Sequence, residues 1–243
     1  VDSADLYRRT GGNPFFVTEA LAARSDHVPL TVRDAVLARA ARLAPEARAA
    51  LDAAAIVPPG CEYWLLEALA PTAPDHLDEC LSSGMLVAGA DRVSFRHELA
   101  RLAIEEALSP ARRRRLHRLV LRALEPVESA DPARLAHHAE AADDAAAVLR
   151  FAPAAGRHAA ALGAHREAAD QYARALRFAD GASPALRADL CDSRAYACYL
   201  SGDFPAAIDA QRHALDHHRR ADDGPRAGHS ARCLSLLLRY EGD

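Results

Sequence analysis

A repeated pattern in the second half of the sequence restricts the fold more than any other feature. The segment from Gly163 to Leu176 aligns with the segment from Gly202 to Leu215, and 39 residues separate the two glycines. In both segments an alanine follows five residues after the glycine, and Ala-Leu stands twelve and thirteen residues after it. Glycine suits a tight turn between helices, and alanine lets two helices approach closely. The pattern therefore predicts stacked helix pairs after about residue 133.

These pairs resemble the tetratricopeptide helix–turn–helix, whose ideal period is about 34 residues. The longer period here predicts extended helices or loops. Gly242-Asp243 stands 40 residues after Gly202, where a third unit would turn. Aligning the units on their glycines puts eight residues on the first helices, at positions that usually line the concave groove of such a solenoid. They are Arg157, Asp189, Asp192, Tyr196, Tyr199, Arg232, Arg239 and Tyr240.

The mixture of aromatic and charged side chains at these positions suits a peptide or a small polar ligand. We therefore predict a partner-binding groove. The alternative is that Tyr196 and Tyr199 pack between repeats and bind nothing. The sequence alone leaves both open.

The first half of the chain predicts short helices that lead into one β-hairpin. Met85–Val87 and Val93–Phe95 are short β-like runs on either side of a Gly89-Ala-Asp91 turn. Helices before a small hairpin are the outline of a winged helix-turn-helix. The predicted helices cover about 32–43, 45–57, 62–70 and 75–83 before the hairpin, and about 97–108 and 110–124 after it.

Composition excludes several functions. The net charge is −4, with 30 basic and 34 acidic residues, which is too balanced to indicate a nucleic-acid or membrane partner. The chain has no lysine, so it has neither Lys-dependent catalysis nor a GxxxxGK[ST] phosphate-binding loop. No nucleophilic triad is evident, and we predict no enzyme active site. His213 and His217 have a ligand-like spacing but no Cys or Glu nearby, so we predict no metal. The five scattered cysteines indicate reduced thiols in a cytoplasmic protein.

Three motifs in order resemble one known family. They are Thr10-Gly-Gly-Asn-Pro-Phe-Phe16 with Thr18-Glu-Ala-Leu21, then Phe95-Arg-His-Glu-Leu-Ala-Arg101 leading to Leu108–His117, then Leu162–Ala169. Together they resemble the middle region of large LuxR-type transcriptional regulators, which belong to the STAND class of signalling ATPases. The resemblance implies a mainly α fold of lid helices and a winged-helix-like domain, followed by an α-solenoid of TPR-like repeats. The implied boundaries are 1–28 for the end of the ATPase lid region, 29–125 for the winged-helix-like domain and 133–243 for the repeats.

The same resemblance implies two nucleotide contacts, made only together with an ATPase core elsewhere in the parent protein. Pro14 would pack on the adenine, and His97 would touch the β-phosphate of ADP. Each has an alternative: Asn13-Pro14 also suits a helix start, and His97 also suits a helix cap. We expect no cofactor in this segment itself, and ATP or ADP in the parent.

The basic stretch Arg112–Arg115 suggests DNA contact, but a solvated helix face or a surface against the ATPase core fits it better. The expected role is therefore a signal relay that couples nucleotide state to an inducer, protein or peptide bound at the repeats, without direct DNA contact. We also expect the chain to be a piece of a longer protein, since both ends fall within a pattern. The alternative is a free-standing helical-repeat adaptor with no nucleotide link, which a P-loop in the upstream sequence would exclude.

Overall fold

The computed structural model describes residues 30–241, together with the isolated positions 3 and 17. The first predicted helix, Pro14 and the Gly242 turn lie outside the described residues. The chain forms two compact units, residues 1–123 and 124–243, which we call the N-terminal and C-terminal units. None of the helices in the described part is both long and apolar enough to span a membrane.

The described part of the N-terminal unit contains six helices around a small sheet. In chain order they are α1 (Leu30–Ala40), α2 (Pro45–Ala55), β1 (Cys61–Glu62), α3 (Tyr63–Leu69), α4 (Ala73–Ser82), β2 (Leu86–Ala88), β3 (Arg92–Phe95), α5 (Glu98–Ala107) and α6 (Pro110–Leu124). The antiparallel sheet has the order β1-β3-β2.

The predicted hairpin is present as β2 and β3, with Leu86 opposite Phe95. Strand β1 was not predicted, because residues 62–70 were assigned to a helix. A two-residue strand has no periodicity to detect, and only its pairing with β3, Cys61 opposite Val93, defines it. The resulting order of helix, strand, two helices and two strands is the one expected for a winged-helix-like unit.

A buried arginine joins α5 to the end of α2. Arg101 is 7% exposed, and its guanidinium lies 2.7 Å from Glu98 Oε1 and 2.6 Å from Glu105 Oε2. It also donates a hydrogen bond of 2.6 Å to the carbonyl oxygen of Ala55. Burial acts to lower the pKa of Arg101, but the two carboxylates outweigh it and the net pKa is raised. Arg101 therefore stays charged and anchors the last turn of α2 to α5.

Two arginines of the predicted basic stretch serve the fold. Arg112 Nη2 lies 2.8 Å from Oδ2 of Asp52, a residue of α2 that is 3% exposed. Arg48 Nε donates to the other oxygen of the same carboxylate at 2.8 Å. Arg113 donates to the carbonyl oxygen of Glu105 at 2.8 Å. These contacts hold α6 against α2 and α5.

Six helices form the C-terminal unit. They are α7 (Pro132–Ala141), α8 (Ala145–Ala161), α9 (His165–Arg177), α10 (Pro184–Leu200), α11 (Phe204–Arg220) and α12 (Gly224–Glu241). Each packs against the next along the chain. The predicted mainly helical class with TPR-like repeats is confirmed.

The same turn joins four of the five helix pairs in this unit. At each turn one residue has a positive φ: Asp143 (58°), Gly163 (77°), Gly202 (78°) and Asp222 (56°). The next residue's backbone N–H then bonds back to a carbonyl five residues earlier, as from Asp203 to Cys198 at 2.9 Å. Glycine takes this conformation without strain, and aspartate takes it more readily than most residues.

The link between α9 and α10 is the exception, and it explains the long period. Helices α8, α10 and α11 each have 17 residues, whereas α9 has 13 and is followed by the link 178–183. Long helices in one repeat and a longer link in the other both add residues to a 34-residue unit.

A glycine sets the spacing between α8 and α9. A Cβ atom at Gly156 would lie 2.9 Å from Cε1 and Cζ of Tyr172, whose side chain is 6% exposed. Real Cβ atoms do not approach other atoms so closely, so the tyrosine ring fills the space that a side chain at this position would need.

Candidate functional site

A groove of about 570 Å³ lies between α10 and α12. Gln211 of α11 contributes to its lining from between these helices. The first helices of successive repeats therefore form its two walls, as the alignment on glycines predicts for a concave groove. The lining residues are Asp192, Ser193, Ala195, Tyr196 and Tyr199 from α10, Gln211, and His229, Cys233, Leu236, Leu237 and Tyr240 from α12.

Three tyrosines of the groove are exposed. Tyr196 and Tyr240 are each 64% exposed, and Tyr199 is 36% exposed. The alternative in which these rings are buried between repeats therefore does not describe the structure. The rings of Tyr199 and Tyr240 lie 6.1 Å apart, and Phe204 stacks on Tyr240 at 5.6 Å. A hydrogen bond with Tyr240 raises the pKa of Tyr199.

A carboxylate held by three donors lies in the groove wall. Oδ1 of Asp192 accepts hydrogen bonds from Gln211 Nε2 at 2.8 Å and from Ser230 Oγ at 3.1 Å. Oδ2 lies 2.7 Å from Nε2 of His218, which is 1% exposed. The donors come from α11 and α12, so the network fixes the carboxylate and also joins three helices.

Of the eight predicted groove residues, four line the groove: Asp192, Tyr196, Tyr199 and Tyr240. Arg157, Arg232 and Arg239 are exposed but lie outside this lining. Asp189 is also outside it and pairs with Arg226 of α12 at 2.5 Å. A first helix of 17 residues exposes more than one face, and the alignment gives the helix but not the angle of each side chain around it.

The α12 wall contains residues that the sequence reading missed. His229, Cys233, Leu236 and Tyr240 recur at i, i+4, i+7 and i+11, which is the spacing of one helical face. That periodicity could have identified the wall, but the search for charged and aromatic groove positions passed over Cys and Leu.

The cysteines differ sharply in accessibility. Cys61, Cys80, Cys191 and Cys198 are buried free thiols, while Cys233 is half-buried. Burial raises the pKa of Cys80 and that of Cys191 to about 11. Those two thiols are therefore protonated at neutral pH and shielded, which leaves Cys233 as the reachable thiol, positioned in the groove wall.

In the N-terminal unit, His97 is the residue immediately before α5 and is half-buried. Its carbonyl oxygen accepts from the backbone N–H of Ala100 at 3.0 Å and of Arg101 at 3.2 Å. Its side chain makes no capping hydrogen bond to the helix. The structure thus gives no support to a side-chain capping role.

Comparison with known proteins adds one likeness in fold. No family model matches the sequence, and no curated protein matches it either. Among solved structures, the chain is similar to a signal transduction ATPase with numerous domains (STAND) protein with a tetratricopeptide repeat sensor from Pyrococcus horikoshii. The TM-score is 0.55 at 14% sequence identity, and the match covers 99% of this chain and 38% of that one. The chain thus spans less than half of that protein's length and has the fold of a region of a STAND protein with a TPR sensor.

Proposed function

We propose that this chain is a regulatory segment of a STAND-type ATP-dependent transcriptional regulator, and that the groove between α10 and α12 binds its inducer or partner. The observation that carries the proposal is the groove itself, in which three exposed tyrosines surround a fixed carboxylate. The likeness in fold to a STAND protein with a TPR sensor supports the same role.

The distribution of exposed apolar groups favours binding at this place. Six of the nine large apolar side chains that are exposed in the described part lie on α10 and α12, and four of these six line the groove. Exposed apolar clusters of this kind mark interaction sites more often than isolated surface residues do. The volume of about 570 Å³ is in the usual range for a small-molecule pocket.

The N-terminal unit would then relay the nucleotide state of the ATPase core to the repeats. His97 has its backbone at a helix start, where phosphate is favoured by oriented N–H groups and the helix dipole. ATP or ADP would bind the parent protein, in the cytoplasm, with Pro14 and His97 as contacts. Helix α4, which precedes the hairpin, exposes Asp75 and Asp78. This sign of charge favours a protein partner over DNA.

The groove proposal is tested in the full open reading frame that encodes this chain. Replacing both Tyr196 and Tyr240 with alanine should abolish the response to inducer, because the exposed rings supply most of the apolar contact surface. ATP binding should be unchanged. Leu162→Ala is the control, since Leu162 is 74% exposed and lies outside the groove. A full inducer response in the double variant would contradict the proposal.

The nucleotide link is tested by His97→Ala in the same protein. A hydrogen bond to a charged phosphate is worth about 1.5–3 kcal/mol. Its loss should weaken ADP binding and raise inducer-independent output by about ten- to a hundredfold. Unchanged ADP affinity and unchanged basal output, with a lower melting temperature, would leave His97 a purely structural residue.

A free-standing repeat adaptor is the second candidate, and the groove suits it equally well because no nucleotide is needed to form it. The two candidates differ in the sequence that precedes this chain. A P-loop there supports the relay, and its absence from the whole reading frame supports the adaptor.

A further inference from the structure

We propose that the ligand of the groove is a small organic cation, a primary amine or guanidine joined to an aromatic or apolar body. This inference rests on the proposed function, because it assumes that the groove binds a ligand, and it adds the chemical class of that ligand.

The charge of the groove wall is the first argument. Among the described lining residues, Asp192 is the only carboxylate, and none is an arginine. The nearby Arg226 pairs with Asp189 at 2.5 Å. An anion entering the groove would lose water beside a carboxylate and find no cationic side chain in the lining, whereas a cation would find its complement.

The geometry of Asp192 is the second argument. A carboxylate has about four acceptor positions, and three donors hold this one: Gln211, Ser230 and His218. Its side chain is 33% exposed and lines the groove. One acceptor position therefore remains for a ligand. Because the other three are engaged, the carboxylate is already oriented and loses little freedom when the ligand binds.

The aromatic rings are the third argument. Tyrosine faces attract a cation whose centre lies within about 6 Å of the ring centroid. Tyr240 stacks on Phe204 with an interplanar angle of 15°, so one face of Tyr240 is engaged while the residue stays 64% exposed. Tyr196, one turn after Asp192 on the same helix, is exposed to the same degree. Leu236 and Leu237 supply apolar surface for the body of the ligand.

Cys233 provides the measurement, because it lines the groove and the other four thiols are buried. The chain of 243 residues is treated with methyl methanethiosulfonate at pH 7, and modification of Cys233 is followed by mass spectrometry. The probes are 2-phenylethylamine and 2-phenylethylguanidine, with 2-phenylethanol as the neutral match and phenylacetate as the anionic match. We expect the two cations to slow the modification of Cys233 in a saturable way, and the alcohol and the acid to leave it unchanged at equal concentration.

Two variants link this protection to the proposed contacts. Asp192→Asn keeps the shape and removes the charge, and should weaken protection by the cations about ten- to a hundredfold. Tyr196→Ala should weaken it as well, and it gives an independent reading because its exposed side chain is not needed for folding. Full protection by the cations in both variants would overturn the proposal.

The failures of the two proposals are distinguishable. If the alcohol or the acid protects Cys233 as well as the cations do, and Tyr196→Ala removes that protection, the groove is a binding site but not one for cations. If no probe of any charge slows the modification, the cation proposal is overturned, while the inducer response of the Tyr196 and Tyr240 double variant still decides the role of the groove.

Discussion

Replacing Arg101 with alanine should lower the free energy of unfolding of the N-terminal unit by about 3 kcal/mol. The substitution removes both ion pairs and leaves the carbonyl oxygen of Ala55 without its charged donor. The carboxylates of Glu98 and Glu105 are 37% and 23% exposed, so water can solvate them in part. The loss therefore falls at the lower end of the range for breaking a buried pair.

The single tryptophan of the chain makes this loss measurable. Trp64 lies on α3 in the N-terminal unit, so its fluorescence during urea unfolding reports on that unit. Arg115→Ala is the matched control, because Arg115 is exposed on the neighbouring helix α6 and its loss should change the free energy by less than about 0.5 kcal/mol. Equal unfolding midpoints for the two variants would show that Arg101 does not anchor α5 to α2.

The same substitution at two helical glycines should have opposite effects. Gly156→Ala should destabilise the C-terminal unit, because the new Cβ would lie 2.9 Å from the ring of the buried Tyr172. Overpacking of this kind costs about 1–3 kcal/mol, which outweighs the gain of about 1 kcal/mol in helix propensity. Gly228→Ala should stabilise the unit by about 1 kcal/mol, since the nearest atom to its Cβ would be Arg232 Nη1 at 3.9 Å.

Circular dichroism at 222 nm during urea unfolding measures both glycine variants. The double variant Gly156→Ala with Tyr172→Leu tests the cause, because a leucine leaves the position of the ring that the new Cβ would strike. It should recover part of the loss relative to Tyr172→Leu alone. If Gly156→Ala stabilises the protein as much as Gly228→Ala does, the close approach of α8 and α9 is not a constraint.

Features carried by local sequence were predictable. The positive-φ turns at Gly163 and Gly202 could be predicted because only a few residue types take that conformation. Helix starts at Pro45 and Pro110 follow from the missing N–H of proline, which costs nothing in the first turn. The exposed Tyr196, Tyr199 and Tyr240 follow from the register of the repeat.

Features that depend on long-range contacts were not. The network of Asp192 joins residues up to 38 positions apart, and no spacing in the sequence indicates which of the many aspartates will meet a buried histidine. Gly156 looks like a weak point of α8 until the ring of Tyr172 is placed against it. Arg101 looks like one arginine among thirty basic residues, because its burial comes from the packing of α2 on α5.

The two walls of the groove are joined through α11, which packs on both, and not by close packing of one wall on the other. The width of the groove therefore depends on the curvature of the solenoid at this point. A ligand that touches both walls favours one curvature, and any event elsewhere in the parent protein that bends or straightens these repeats must change the affinity of the ligand by the same factor. The groove would then act as a gauge of solenoid shape, in which occupancy and bending are two readings of a single free energy.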